Sequence, residues 1–203
     1  METPIKRAFV FIGISGSGKG TQISRLEEKI KEKDPDTNHF KFYTGDRFRN
    51  FVQEPTYSAE LSRKINLEGG LQPSFIAIAF WSEAVVENLK GGEYLFFDGS
   101  PRSLSEAKAM DSLFRFYGVE RPDIIVLNVS PKEATRRMMA RGRADDTEEA
   151  IKKRIAWYER DVVPAISYFK SDPYYCMHEI DGDKDIDAVH QALVISVINK
   201  HYA

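Results

Sequence analysis

The stretch Ala8-Phe9-Val10-Phe11-Ile12 runs straight into Gly13-Ile14-Ser15-Gly16-Ser17-Gly18-Lys19-Gly20-Thr21-Gln22, and its reading decides the fold. An unbroken apolar run of strand length, stopped by glycines, predicts a buried strand that turns sharply. Ile23, Leu26 and Ile30 then recur at helical spacing, so a helix should open directly after the glycines. Gly13-x4-Gly18-Lys19 has the spacing of a phosphate loop. Glycines let backbone N–H groups turn inward around an anion, the helix N-terminus adds its positive end, and a lysine reaches the outer phosphates. The rival reading is a glycine-rich turn with no ligand, and the strand-before, helix-after context weighs against it. Gly20 stands where a Ser or Thr hydroxyl usually meets Mg²⁺, which leaves Thr21 or a water for that task.

Outward from this junction, apolar runs alternate with helical patterns. Phe40–Tyr43, Tyr94–Phe97, Ile124–Leu127 and Cys176–Ile180 read as further strands, the first and last of them weaker. Unbroken apolar strands separated by helices predict an α/β protein whose parallel sheet is covered on both faces. Ser130-Pro131 reads as an N-cap with Pro at the first helical position, and Ile186, Val189, Leu193 and Val197 mark a last helix. Asp146-Thr147-Glu148-Glu149 reads as a capping box opening a helix to at least Val163, where Pro164 should kink or interrupt it. The polar, helical stretch 44–73 is a candidate insertion. The run Phe75 to Trp81 reads as core rather than as a platform for stacking bases.

Composition narrows the partners. At 203 residues, with 42% hydrophobic and 30% charged residues, the chain fits one domain, 1–203, with a real core. Lys and Arg number 29 against 31 Asp and Glu, so no basic field is available to hold nucleic acid. The lone Cys176 fits a reducing compartment, and with four scattered histidines it offers no structural zinc site. No apolar stretch approaches ~20 residues, so a soluble, cytoplasmic protein without a membrane partner is expected, and a monomer.

An acid closes one of the strands, Tyr94-Leu95-Phe96-Phe97-Asp98. Beside a phosphate loop it suits holding Mg²⁺ through water; alone, Asp98-Gly99 would be an ordinary turn. Gly99, not a second acid, follows it, which disfavours an ATPase that must polarise an attacking water.

These residues, with others further along, resemble the adenylate kinase family of nucleoside monophosphate kinases. Gly13–Gln22 resembles that family's GxPGxGKGTQ, with Ser15 in place of Pro. Thr44-Gly45-Asp46-Arg47-Phe48-Arg49 resembles TGDxLR, and Asp98-Gly99-Ser100-Pro101-Arg102 resembles DGFPR. Arg141-Gly142-Arg143-Ala144-Asp145-Asp146 and Ile151-Lys152-Lys153-Arg154 resemble the RG…GRxDD…IKKR run, and Asp181-Gly182-Asp183-Lys184 extends the match. The resemblance implies a P-loop NTPase fold of five parallel strands flanked by helices, with a nucleoside-monophosphate-binding subdomain at 44–73 and a very short lid at 141–146. It implies ATP + AMP = 2 ADP, with Mg²⁺ accompanying ATP and held by Asp98 through water, Thr21 assisting. Gly16, Ser17, Gly18, Lys19, Gly20, Thr21, Arg141 and Lys184 would meet ATP. Thr44, Arg49, Gly70, Leu71, Gln72, Gly99, Arg102, Glu106, Arg143 and Arg154 would meet the monophosphate. Lys19, Arg102, Arg141, Arg143 and Arg154 would neutralise the moving group, for which a planar, permanently charged guanidinium is suited. Arg136 and Arg137, on the same helix as Arg141, receive no role.

Departures bear on the acceptor base. Adenine-specific members carry Gln where this chain has Glu106, and a carboxylate only accepts hydrogen bonds. Guanine would offer it two donors, so GMP stands as an alternative acceptor. Ser103-Leu104-Ser105-Glu106 is also a capping box in its own right, and the two readings stand side by side. Gln72, where Val is usual, adds a polar group nearby. Asp46 divides between support for Mg²⁺ and a turn. The shortened lid predicts some ATP hydrolysis without acceptor.

Overall fold

Five strands, β1 (Arg7–Ile12), β2 (His39–Tyr43), β3 (Tyr94–Asp98), β4 (Asp123–Asn128) and β5 (Cys176–Asp181), form one sheet ordered β2-β3-β1-β4-β5. Every pairing is parallel. The structure, a computed structural model, describes residues 4–198. β1 shows why the strands read as continuous apolar runs. Its Ala8, Val10 and Ile12 face a layer of α4 (Ser74–Asn88), α5 (Leu104–Phe116) and α8 (Val163–Lys170). Its Phe9 and Phe11 face α1 (Lys19–Lys33) and α9 (Ile186–Val197) on the other side. Both faces are dry, so no alternation survives in the sequence. The edge strand β2 is weaker because its Lys41 points outward to Glu27.

The order of the strands places the site. From β1 the chain steps outward to β2, returns to β3 beside β1, and then crosses to β4 on the far side. Such a reversal opens a crevice at the carboxyl ends of the strands. The glycine loop after β1 and Asp98 at the end of β3 both lie there, with Asp98 in register with Phe11 and Tyr43.

Stretch 44–73 holds α2 (Thr44–Phe51) and α3 (Tyr57–Leu67), which share a small apolar cluster of Phe48, Phe51 and Ala59 with Ala77 and Phe80 of α4. Ser130 caps α6 (Pro131–Arg141) by accepting from the Glu133 N–H, as read from the sequence. Trp81 is core, but Phe75 of the same run is exposed.

Two local readings need correction. The cap of α7 (Glu148–Trp157) is Thr147, which accepts from the Ala150 N–H; Asp146 is drawn away by arginines. Past Trp157 the helix passes through a π-helical turn, Tyr158–Val162, before α8, so the interruption precedes Pro164 rather than falling on it. The last helix, α9, runs from Ile186 to Val197 as its spacing predicts; Ile186 itself is exposed, and the buried stripe starts at Val189. No helix among the described residues is long and apolar enough to cross a membrane.

At the opposite end of the sheet Asp123 is fully buried. It accepts from Arg7 Nη2 at 2.9 Å and bonds His178 Nε2 at 2.7 Å, while His178 Nδ1 meets Ser196 Oγ at 2.7 Å. Asp123→Ala should therefore cost about 3–5 kcal/mol, since it leaves a guanidinium buried without its carboxylate. Urea unfolding of the two proteins measures this, and a loss within ~0.5 kcal/mol would contradict it.

Candidate active site

The glycine loop has the conformation its residues permit and others would not. Gly16 and Gly18 have φ of +83° and +88°. A Cβ on Gly13 would lie 2.7 Å from Ser17 Oγ and 2.9 Å from the Leu127 carbonyl oxygen. Gly18 is the N-cap of α1 without a side-chain cap, and no acid stands in the first turn. The free N–H groups and the positive helix end therefore face the crevice unshielded.

Lys19 lies across this loop. Its Nζ donates to the carbonyl oxygens of Gly13 (2.7 Å) and Ile14 (3.1 Å) and to Ser17 Oγ (3.2 Å). Burial lowers its pKa to about 8; Asp98 opposes that shift, and Arg102 and Arg141 add to it. Burial also pushes the Asp98 carboxyl up, against the pull of Lys19 and Arg102. A buried carboxylate with its pKa still raised beside two cations is short of positive charge, which fits a hydrated cation held with phosphates rather than in a protein cage. Among the described residues no cluster of three His, Cys, Asp or Glu side chains could hold a metal ion. Gly20 sits against Asp98, its would-be Cβ 3.6 Å from Oδ2, and Thr21 is exposed on the cleft wall.

The arginines converge from separate motifs on one cleft of about 590 Å³. Arg102 is held by Nε to the Gly99 carbonyl oxygen at 2.7 Å. Arg141 forks onto Asp146 with bonds of 2.6 and 2.9 Å, and Arg154 takes the same carboxylate at 2.6 Å and pairs with Asp145. Burial lifts the Asp146 carboxyl, but hydrogen bonds from Arg141 and Arg154 outweigh it and hold its pKa below the usual range. Arg49 pairs with Asp46 on the rim. Burial, Arg141 and Arg49 together lower the pKa of Arg143.

Of the residues expected at the site, Gly16, Gly18, Lys19, Gly20, Thr21, Arg49, Gly70, Gln72, Asp98, Arg102, Arg141, Arg143 and Arg154 line this cleft. Others stand behind its wall. Ser17 is buried beneath Lys19, and Thr44 is buried with its hydroxyl on Ser100 Oγ at 2.7 Å. Gly99 lies under Arg102, Leu71 packs against the core, and Lys184 is exposed beside Asp181. Gln72 is buried, and both ends of its amide are engaged by Ser62 at 2.8 and 2.9 Å. Glu106 is buried as well. Its N–H donates to Ser103 Oγ, as the capping reading requires, and its Oε2 accepts from the Arg102 N–H at 3.1 Å.

Residues without an expected role also line the cleft: Asn66, Arg137, Asp145 and Trp157. Arg137 was legible in principle, since it precedes Arg141 by one helical turn and so shares its face. Its Nη2 donates to the Gly182 carbonyl oxygen at 2.8 Å, bridging α6 to the loop before α9, and its Nε shares Glu133 with the exposed Arg136.

So many cations around a glycine loop at a helix N-terminus call for a polyanion, and on this sheet topology they define a P-loop, nucleotide-binding phosphotransferase. A family model described as adenylate kinase matches residues 11–174. An adenylate kinase of Thermus thermophilus is 32% identical over 171 residues, covering 82% of this chain and 85% of that protein. One from Phocaeicola vulgatus is 31% identical over 192 residues, 93% and 96% of the two chains. One from Leptospira biflexa is 27% identical over 195 residues, 94% and 100%. The chain belongs to the adenylate kinase family and is a nucleoside monophosphate kinase.

The Lys19 pKa of about 8 sets a pH dependence for the donor nucleotide. Bound phosphate stabilises the charged ammonium and raises its pKa, so binding takes up a proton above that value and none below it. ATP affinity should be level up to about pH 8 and fall toward tenfold per unit above it. Titration of Kd up to about pH 10 measures this; Lys19→Met should bind weakly and without the slope, and a flat wild-type profile would contradict it.

Proposed function

We propose that the protein transfers the terminal phosphoryl group of Mg·ATP reversibly to AMP, giving two ADP. The observation that carries this is the convergence of Lys19, Asp98, Arg49, Arg102, Arg141, Arg143 and Arg154 on one cleft. The relatives' common name supports ATP and AMP as the pair.

On this reading the loop Gly16–Thr21 holds the donor phosphates on backbone N–H groups, with Lys19, Arg141 and Lys184 adding charge. Stretch 44–73 is the acceptor half, and 141–146 is the lid. Arg49 and Arg102 hold the monophosphate, with Thr44, Gly70, Leu71, Gln72 and Gly99 shaping that half, while Arg143 and Arg154 stand toward the moving group. An acceptor phosphate oxygen bonds the terminal phosphorus as its bond to the bridging oxygen breaks. The protein contributes alignment, exclusion of water and positive charge around the equatorial oxygens. Asp98 would hold Mg²⁺ through water with Thr21 beside it, and the ion would offset phosphate charge. A cytoplasmic monomer fits this role.

The second reading, GMP as acceptor, rests on Glu106. Burial raises its pKa, and one oxygen already serves the Arg102 N–H. That engagement favours AMP, with Glu106 as a cap.

Product formation from Mg·ATP with AMP, GMP, CMP or UMP, each against a control without acceptor, tests the assignment. ADP forming fast with AMP alone is the expected result. Preference for GMP would make Glu106 the base reader, and equal phosphate release in every tube would mean an ATPase. Arg102→Ala should lower the rate with the acceptor by on the order of 10³-fold and leave ATP binding in place.

A further inference from the structure

We propose that Trp157 is a positioning residue that sets the acceptor half of the cleft against the helix carrying Arg154, an inference that rests on the phosphoryl-transfer reading above. Trp157 ends α7, three residues beyond Arg154, so the two side chains share a helix face. Both are buried at the cleft.

The indole reaches in two directions. Its Nε1–H donates to the Gly69 carbonyl oxygen at 3.1 Å, joining segments 88 residues apart. Gly69 follows α3 with φ +70°, and a Cβ there would lie 2.5 Å from Ala150 Cα. Only glycine brings this loop so near α7, and the next turns of the loop, Gly70 and Gln72, line the cleft. On its other side the ring lies beneath Arg102, whose guanidinium carbon is 5.9 Å from the ring centroid. One side chain thus touches the acceptor loop and the arginine expected to hold the acceptor phosphate, from the helix that carries a third element of the site.

Bulk alone does not account for this. The other tryptophan, Trp81, fills core equally well, and its buried Nε1 has no hydrogen-bond partner among the described residues. At Trp157 the polar hydrogen is spent on the one loop that shapes the acceptor half.

Trp157→Phe removes the N–H and keeps a ring beneath Arg102. The loss should fall on the acceptor KM, which rises about fivefold, with the ATP KM held and kcat changed far less. Trp157→Ala also removes the support of Arg102, and kcat should fall about tenfold or more. Gly69→Ala pushes the same loop off α7 from its other side and should raise the acceptor KM as well, which keeps the test open if Trp157→Phe folds poorly. Hydrogen exchange at 69–71 without nucleotide should quicken in Trp157→Phe. Faster exchange with an unchanged acceptor KM would make the contact purely structural and overturn the proposal, as would equal rises in both KM values. A wild-type enzyme inert toward every nucleoside monophosphate would strike the phosphoryl-transfer reading instead, and unchanged exchange in Trp157→Phe would then strike the tie on its own.

Discussion

Two arginines held together by one shared, buried carboxylate are the constraint on which this structure depends. Arg141 and Arg154 both grip Asp146, whose side chain is 1% exposed. Two guanidinium groups brought within ~4 Å repel by about 4 kcal/mol at an effective dielectric near 20, so neither arginine would stay without that carboxylate. Asp98 attracts Lys19 and Arg102 through its charge, while both cations hydrogen-bond to other groups. There the balance is poorer, because burial still depresses the lysine and still raises the acid. A site built this way does not stabilise the fold. The apolar layers on either face of the sheet must carry it, which explains why so little of β1, β3 and β4 is spared for solvent.

Five of the cations of the site rest on acceptors within the protein. Lys19 lies on the loop carbonyls, Arg102 on the Gly99 carbonyl, Arg141 and Arg154 on Asp146, and Arg49 on Asp46. Phosphate oxygens arriving in the cleft therefore exchange one set of charge-assisted bonds for another. The net gain is small beside the gross interaction, which suits an enzyme that must release its products.

Much of this was legible in the sequence because it rests on short, local patterns. Dry strands leave unbroken apolar runs, and the glycine loop, Asp98 and the arginines follow fixed spacings. Features set by tertiary competition were not legible. Asp146 and Thr147 are both good caps, and which one serves depends on arginines that reach Asp146 from α6 and from further along α7. Glu106 and Gln72 read as polar groups offered to a base, yet both are drawn into the wall, by the Arg102 N–H and by Ser62. Trp157 carried no signal at all, since nothing in the local pattern of α7 points to a carbonyl 88 residues away.

The helix α7 is where these threads meet. It holds Ala150 against Gly69, Arg154 against the carboxylates beside the lid stretch, and Trp157 between the acceptor loop and Arg102. On the proposed reading of 141–146 as a lid, Arg141 and Asp146 are joined across it, which leaves little chain to absorb independent movement of the two halves. Arg141 and Arg154 meet at Asp146, and α7, which carries Arg154, also bears on the Gly69 loop through Trp157. On the proposed reading, donor and acceptor sides would be linked through one element with packed side chains at both ends rather than through a long hinged flap.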